Sequence, residues 1–312
     1  MMKRSVLAVA AGVMVWSQGV GADFSQQGSK LTGTGATGSA WQASATAVSA
    51  DGNTAIVGGY LDNDGAGAAW VFARSGGVWT QQSNKLVGTS PTGTANQGWA
   101  TALSTDGNTA LVGGPADNNG AGAVWVFTRT GGVWAQQGTK LEGSSAAGPA
   151  NQGWAVALSS DGNTALIGGP ADNSGAGAVW VFARSGATWK QQGSKLVGTG
   201  AVGSGAQGSS VALSADGSTA VVGGKQDNNG YGAVWVFTQS AGKWAQQGSK
   251  LVGSSPNTFL TIAANASVTA AFTQQTVPCY TLAMVTSPAN KGTFTVNTPQ
   301  TCSGGYTPGT QI

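Results

Sequence analysis

The chain of 312 residues has no histidine, only two cysteines and only 8% charged side chains. Without imidazole it lacks the commonest general base and metal ligand of enzymes. Its 14 basic and 11 acidic residues form no run, which excludes the electrostatic footprint of a nucleic-acid binder. The acids fall mostly in turn signatures, and no carboxylate pair stands out for acid–base work. Apolar spacing of helical period is missing after the first twenty residues, which excludes an α/β enzyme fold. Glycine-rich loops follow strands but never open a helix, so they are not phosphate cradles. These absences predict a protein that is not an enzyme.

What is abundant points to strands and turns. There are 52 Gly and 12 Trp, and 40% of residues are hydrophobic, against usual values of about 7% Gly and about 25% charged residues. Disorder is excluded by that apolar content. At the N-terminus Lys3 and Arg4 precede an apolar run, Val6 to Trp16, too short to cross a bilayer comfortably. Val20 and Ala22 supply small residues before a cleavage point that leaves Asp23 first. Residues 1–22 are therefore expected to be a signal peptide. The protein would be secreted or surface-exposed, with no transmembrane span after cleavage; the alternative is a membrane anchor or a buried helix.

The rest of the chain is an array. Asp-Gly-Asn/Ser-Thr-Ala begins at Asp51, Asp106, Asp161 and Asp216, and Trp-Val-Phe at Trp70, Trp125, Trp180 and Trp235, always 55 residues apart. Gln-Gln-x-x-Lys-Leu recurs with the same period from Gln26 to Gln246. Within one unit, Trp99 to Ser104 reads as a strand, and Asp106-Gly107 as a type I′ hairpin turn. Thr109 to Gly113 is the return strand, 114–120 a loop, Ala123 to Arg129 a third strand and Val133 to Leu141 a fourth. In Ala123 to Phe127 both alternating sets are apolar, so that strand should be covered on both faces. Four antiparallel strands per unit predict an all-β fold, a β-propeller of four-stranded blades over 23–253. Phe24 to Leu31 matches an additional fourth strand. Either four blades close a ring, or that strand belongs to a fifth.

Gln-Gly-Trp-Ala-x-Ala-Leu-Ser at Gln97 and Gln152, followed by Gly-Gly-Pro at 113–115 and 168–170, resembles the FG-GAP repeat best known from the integrin α-chain propeller. Gln stands here for Phe and Gly for Ala, and Tyr60 and Lys225 replace Pro in the first and fourth units. The resemblance implies an extracellular propeller for adhesion or protein recognition, with a protein or glycan ligand. Integrin-like propellers hold calcium in acidic loops of similar location. Here each unit has Asp-Asn-x-Gly-x-Gly, which makes Asp62, Asp64, Asp117, Asp172 and Asp227 candidate calcium ligands; plain Asx turns are the alternative. Trp79, Trp134, Trp189 and Trp244 open the fourth strands, Trp99 and Trp154 open the first, and these rings are candidate carbohydrate-stacking residues, or else they pack between blades. A third possibility is a structural spacer in a larger exoprotein.

After Pro256 the period stops. Residues 254–278 are expected to be a linker with the closing strands of a surface repeat. Residues 279–312 resemble the opening half of an internalin B-repeat-like module. Cys279 and Cys302 are expected to form a disulfide in an exported protein.

Overall fold

The computed structural model describes residues 25–253. The signal-peptide reading of 1–22, the linker, the 279–312 module and the Cys279–Cys302 bridge lie outside the described residues.

Four antiparallel sheets of four strands each follow one another along the chain. The first contains β1 (Ala45–Val48), β2 (Thr54–Gly59), β3 (Ala68–Ser75) and β4 (Val78–Gln81). The second contains β5 (Ala100–Leu103), β6 (Thr109–Gly114), β7 (Ala123–Thr130) and β8 (Val133–Gln136). The third contains β9 (Ala155–Leu158), β10 (Thr164–Gly169), β11 (Ala178–Ser185) and β12 (Thr188–Gln191). The fourth contains β13 (Gln207–Leu213), β14 (Thr219–Gly224), β15 (Ala233–Ser240) and β16 (Lys243–Gln246). Strand order within each sheet is sequence order. The chain is an all-β, propeller-type repeat, and the 55-residue period maps one unit onto one blade. First strands β1, β5, β9 and β13 lie beside one another in succession and form the inner row.

Each blade buries one face against the next. Ile56 and Val71 of the first blade meet Val112, Trp125 and Phe127 of the second, and the same set recurs at the two following junctions. Trp70, Trp125, Trp180 and Trp235 are fully buried. Each indole Nε1 donates to a backbone carbonyl (Thr34, Thr89, Ser144, Thr199) at 2.8 Å. Burying one such ring contributes about 4–6 kcal/mol by area. The third strands are covered on both faces as the double apolar alternation predicts. In the fourth blade Val221 is 38% exposed where Ile56, Leu111 and Leu166 are fully buried, because no fifth sheet follows among the described residues.

Three local expectations differ from the structure. The Asp106-Gly107 hairpin is not a type I′ turn, since only Gly107 has positive φ, at 66°. Asp106 instead accepts from Ser104 Oγ and from the backbone and side chain of Asn108, and its carboxylate closes a longer loop. The fourth strand stops at Gln136, and Leu141 makes only an isolated bridge to Val124. Residues 25–31 form no strand. The segment that follows covers the first blade, and Gln42 Oε1 accepts from Gly33 N above Trp70.

Candidate functional site

Four short turns fall where the sequence places candidate metal loops: α1 (Asp62–Gly65), α2 (Asp117–Gly120), α3 (Asp172–Gly175) and α4 (Asp227–Gly230). Their two central residues are left-handed, Asn118 at φ 50° and Asn119 at φ 54° for example, so the four-residue helices are really tight loops. Asp62, Asp117, Asp172 and Asp227 are all buried. One carboxylate oxygen of each accepts from a backbone N–H in the segment entering its blade: Thr37, Thr92, Ala147 and Val202, at 2.7–2.8 Å. The other accepts from Lys85, Lys140, Lys195 or Lys250 Nζ at 2.5 Å. An ammonium thus occupies the place that the calcium expectation gave to a metal. Asp64 is exposed and makes no ion pair among the described residues. Among those residues no group of three or more acidic, Cys or His side chains comes together.

Trp134, Trp189 and Trp244 lie between blades, whereas Trp79 packs with Trp70 and Phe72 of its own blade and with Ala40 of the leading segment. Trp134 is 7% exposed. The rings of Trp79, Trp134 and Trp189 lie under Arg74, Arg129 and Arg184, 5.4–5.5 Å from ring centroid to guanidinium carbon. Gln82 Oε1 of the first blade accepts from both Arg129 and Trp134, and Gln137 of the second accepts from Arg184 and Trp189. Trp134 and Trp189 thus tie neighbouring blades together, each with a ring face under a guanidinium. In the fourth blade the arginine is replaced by Gln239, which reaches Gln192 at 3.5 Å and leaves the buried Trp244 Nε1 without a partner among the described residues. Gln239→Arg should restore the cation–π stack and draw the Gln192 oxygen toward both donors. A gain of about 1 kcal/mol in urea unfolding is expected; no gain would mean that this cluster does not couple the last two blades.

A different set of aromatics is gathered at one end of the inner row. Most described aromatic side chains recur in all four units. Those that do not are Trp41, Tyr60, Trp99, Trp154 and Tyr231. All five sit where first strands begin and second strands end: Trp99 just before β5, Trp154 just before β9, Tyr60 just after β2, Tyr231 just before β15. Trp41 and Tyr60 meet edge to face at 5.8 Å between centroids, Tyr60 and Trp99 at 4.7 Å, Trp99 and Trp154 at 4.7 Å. Lys225 of the fourth blade caps the row, its Nζ 5.5 Å from the Trp154 ring centroid. A continuous arc therefore runs from the leading segment across all four blades.

The arc is accessible. Trp41 is 62% exposed, and Tyr60, Trp99 and Trp154 are half-buried. Unlike the buried repeat tryptophans, these indole N–H groups and the Tyr60 hydroxyl have no hydrogen-bond partner among the described residues. The polar side chains around them are engaged: Asn96 Nδ2 donates to Tyr60 O, Asn151 Nδ2 to Pro115 O, Gln42 Nε2 to Gly33 O. Of the candidate sugar-stacking rings, Trp99 and Trp154 fall on this accessible row with Trp41 and Tyr60, and the fourth-strand rings do not. The usable signal was departure from the repeat: Trp99 and Trp154 stand where Ser44 and Ser209 stand in the outer blades.

No family model and no curated protein matches the chain. The FG-GAP-type and internalin-like readings thus stay resemblances. Solved structures of propeller-like proteins match distantly. A candidate 6-phosphogluconolactonase from Bacteroides uniformis is 17% identical with a TM-score of 0.48, covering 68% of this chain and 57% of that one. A functionally unknown protein from Desulfotomaculum acetoxidans is 15% identical with a TM-score of 0.43, covering 66% and 55%. TolB from Acinetobacter baumannii is 12% identical with a TM-score of 0.36, covering 65% and 42%. This chain spans little more than half of each, or less. The expectation that the chain is not an enzyme is withdrawn: a candidate lactonase is among the structures it resembles. Neither the repeat architecture nor the lack of histidine excludes catalysis.

Proposed function

We propose that the repeat array is a recognition module exported to the cell surface or beyond, with the Trp41–Tyr60–Trp99–Trp154 arc as its ligand surface. The supporting observation is that aromatic departures from an otherwise regular repeat converge on one accessible row. A core needs no such convergence, since the repeated tryptophans already fill every blade junction. Exposed aromatics with a polar tip are the residues that dominate binding energy at protein surfaces. Protein recognition or adhesion is the reading these features favour.

Trp99→Ser and Trp154→Ser test it without threatening the fold, because Ser44 and Ser209 already occupy these positions in the outer blades and bond to Gly58 O and Gly223 O. The full chain should bind at least one member of a panel of purified extracellular proteins and polysaccharides. The double variant should lose about tenfold or more in affinity at unchanged melting temperature. Binding indifferent to both substitutions would remove the arc from function, and failure to bind any panel member would favour a spacer.

A further inference from the structure

We infer that the arc takes a proline-rich segment of a partner protein in the polyproline II conformation, with an acidic residue of that segment at Lys225. This rests on the arc being the recognition surface. A polyproline II chain makes no hydrogen bonds within itself, so its carbonyls are free acceptors while its prolyl rings give flat apolar faces. The arc offers the complement of both. Its exposed and half-exposed rings form a contiguous row of aromatic edges and faces, and aromatic surfaces are what such segments dock on. Its unpaired groups are donors: the indole N–H of Trp41, Trp99 and Trp154 and the hydroxyl of Tyr60. The side-chain amide nitrogens nearest the rings, those of Asn96, Asn151 and Gln42, already donate to backbone carbonyls, which leaves the indole N–H groups and the Tyr60 hydroxyl as the free donors of the aromatic row.

Charge sets the direction of the bound segment. Lys225 replaces the Pro115 and Pro170 of the central blades, and no salt bridge holds it among the described residues. Its ammonium lies at the Trp154 end of the row, while the Trp41 end has no cation in the row. A segment with an acidic residue at one end would be bound in one orientation.

The test is tryptophan emission of the full chain titrated with four probes: decaproline, decaproline ending in two aspartates, a Gly-Ser peptide of equal length, and chitohexaose. Saturable responses to both proline peptides are expected, tighter for the acidic one, with none from the Gly-Ser peptide. Trp99→Ser or Trp154→Ser should weaken both by about tenfold. Lys225→Pro, the residue of the central blades, should abolish only the preference for the acidic peptide. A response to chitohexaose that Trp99→Ser removes, with none to decaproline, would replace the peptide by a saccharide and leave the arc standing. If decaproline fails while arc substitutions still weaken binding to a panel protein, only the ligand class is overturned. Equal affinity for both proline peptides would overturn the role of Lys225.

Discussion

Asp117→Ala is expected to destabilise the array by about 3–5 kcal/mol, the range found when one partner of a buried ion pair is removed. Asp117 is fully buried and serves two groups at once. Its Oδ1 accepts from Thr92 N at 2.7 Å and its Oδ2 from Lys140 Nζ at 2.5 Å. Thr92 lies in the segment that leaves the first blade for the second, so this carboxylate pins the crossover as well as closing its own loop. Alanine leaves the Thr92 N–H unpaired and strands the Lys140 ammonium, whose side chain is only 12% exposed, with the exposed Glu142 3.4 Å away as its remaining partner. At about 2–4 °C per kcal/mol for a domain of this size, the melting temperature should fall by about 10 °C. Asp117→Asn, which keeps an acceptor for Thr92, should recover part of the loss. A fall of under 1 kcal/mol for the alanine variant would show that the clamp is not structural, and would return the loop to the metal reading.

The pair has a pH signature. Burial works to lower the Lys140 pKa, but the bond and charge of Asp117 outweigh it and hold that pKa above its ordinary value. Stability from this shift is therefore complete below the unfolded lysine value, about 10.4, and is lost as pH rises through the raised folded value. The surface turns respond at the other end of the scale. Asp216 is held down to about 2, first by Ser214 Oγ, then by the backbone N–H and hydroxyl of Ser218. Its contribution is present at neutral pH and fades as acid approaches that value.

These clamps also mark the limit of what could be read from the chain. Strand order within a unit was legible because a strand announces itself locally: alternation in Ala123 to Phe127, a turn at Asp106-Gly107, a return strand; the leading segment left the number of blades open between four and five. The role of Asp117 was not, because its partner lies 23 residues away in another element. Yet the same separation links Asp62 to Lys85, Asp172 to Lys195 and Asp227 to Lys250. An acid and a base that recur at one fixed offset in every unit are a pairing signal, and reading the acid alone produced a metal site. The aromatic arc was hidden for the opposite reason. Tyr60, Trp99 and Trp154 belong to three different units and meet only because blades stack, so no window of sequence contains them.

Stacking itself is tested by Gly122→Ala, for which a loss of about 3 kcal/mol is expected. Two effects add there. Gly122 has φ +78°, where a Cβ costs about 1–2 kcal/mol. That Cβ would also lie 2.2 Å from Gln152 O and 2.3 Å from Gln152 N, on the backbone of the third blade. Gln152 cannot yield: its N donates to Ala121 O, and its side chain bonds both ways to Gly143. Gly122 and Gln152 form a parallel bridge, repeated by Gly67 with Gln97 and by Gly177 with Gln207, so the same seam joins every pair of adjacent blades. Gly232 supplies the internal control. It has the same conformation, φ +77°, but its nearest heavy atom to an added Cβ is 3.7 Å away, because no blade follows it among the described residues. Gly232→Ala should therefore cost only the backbone term, about 1–2 kcal/mol. The difference between the two variants in urea unfolding isolates the contact between blades from the strain within one. Equal losses at the level of the backbone term, about 1–2 kcal/mol, would mean that the seam contributes nothing. Equal losses of about 3 kcal/mol would mean that the last blade is covered in solution as the inner ones are.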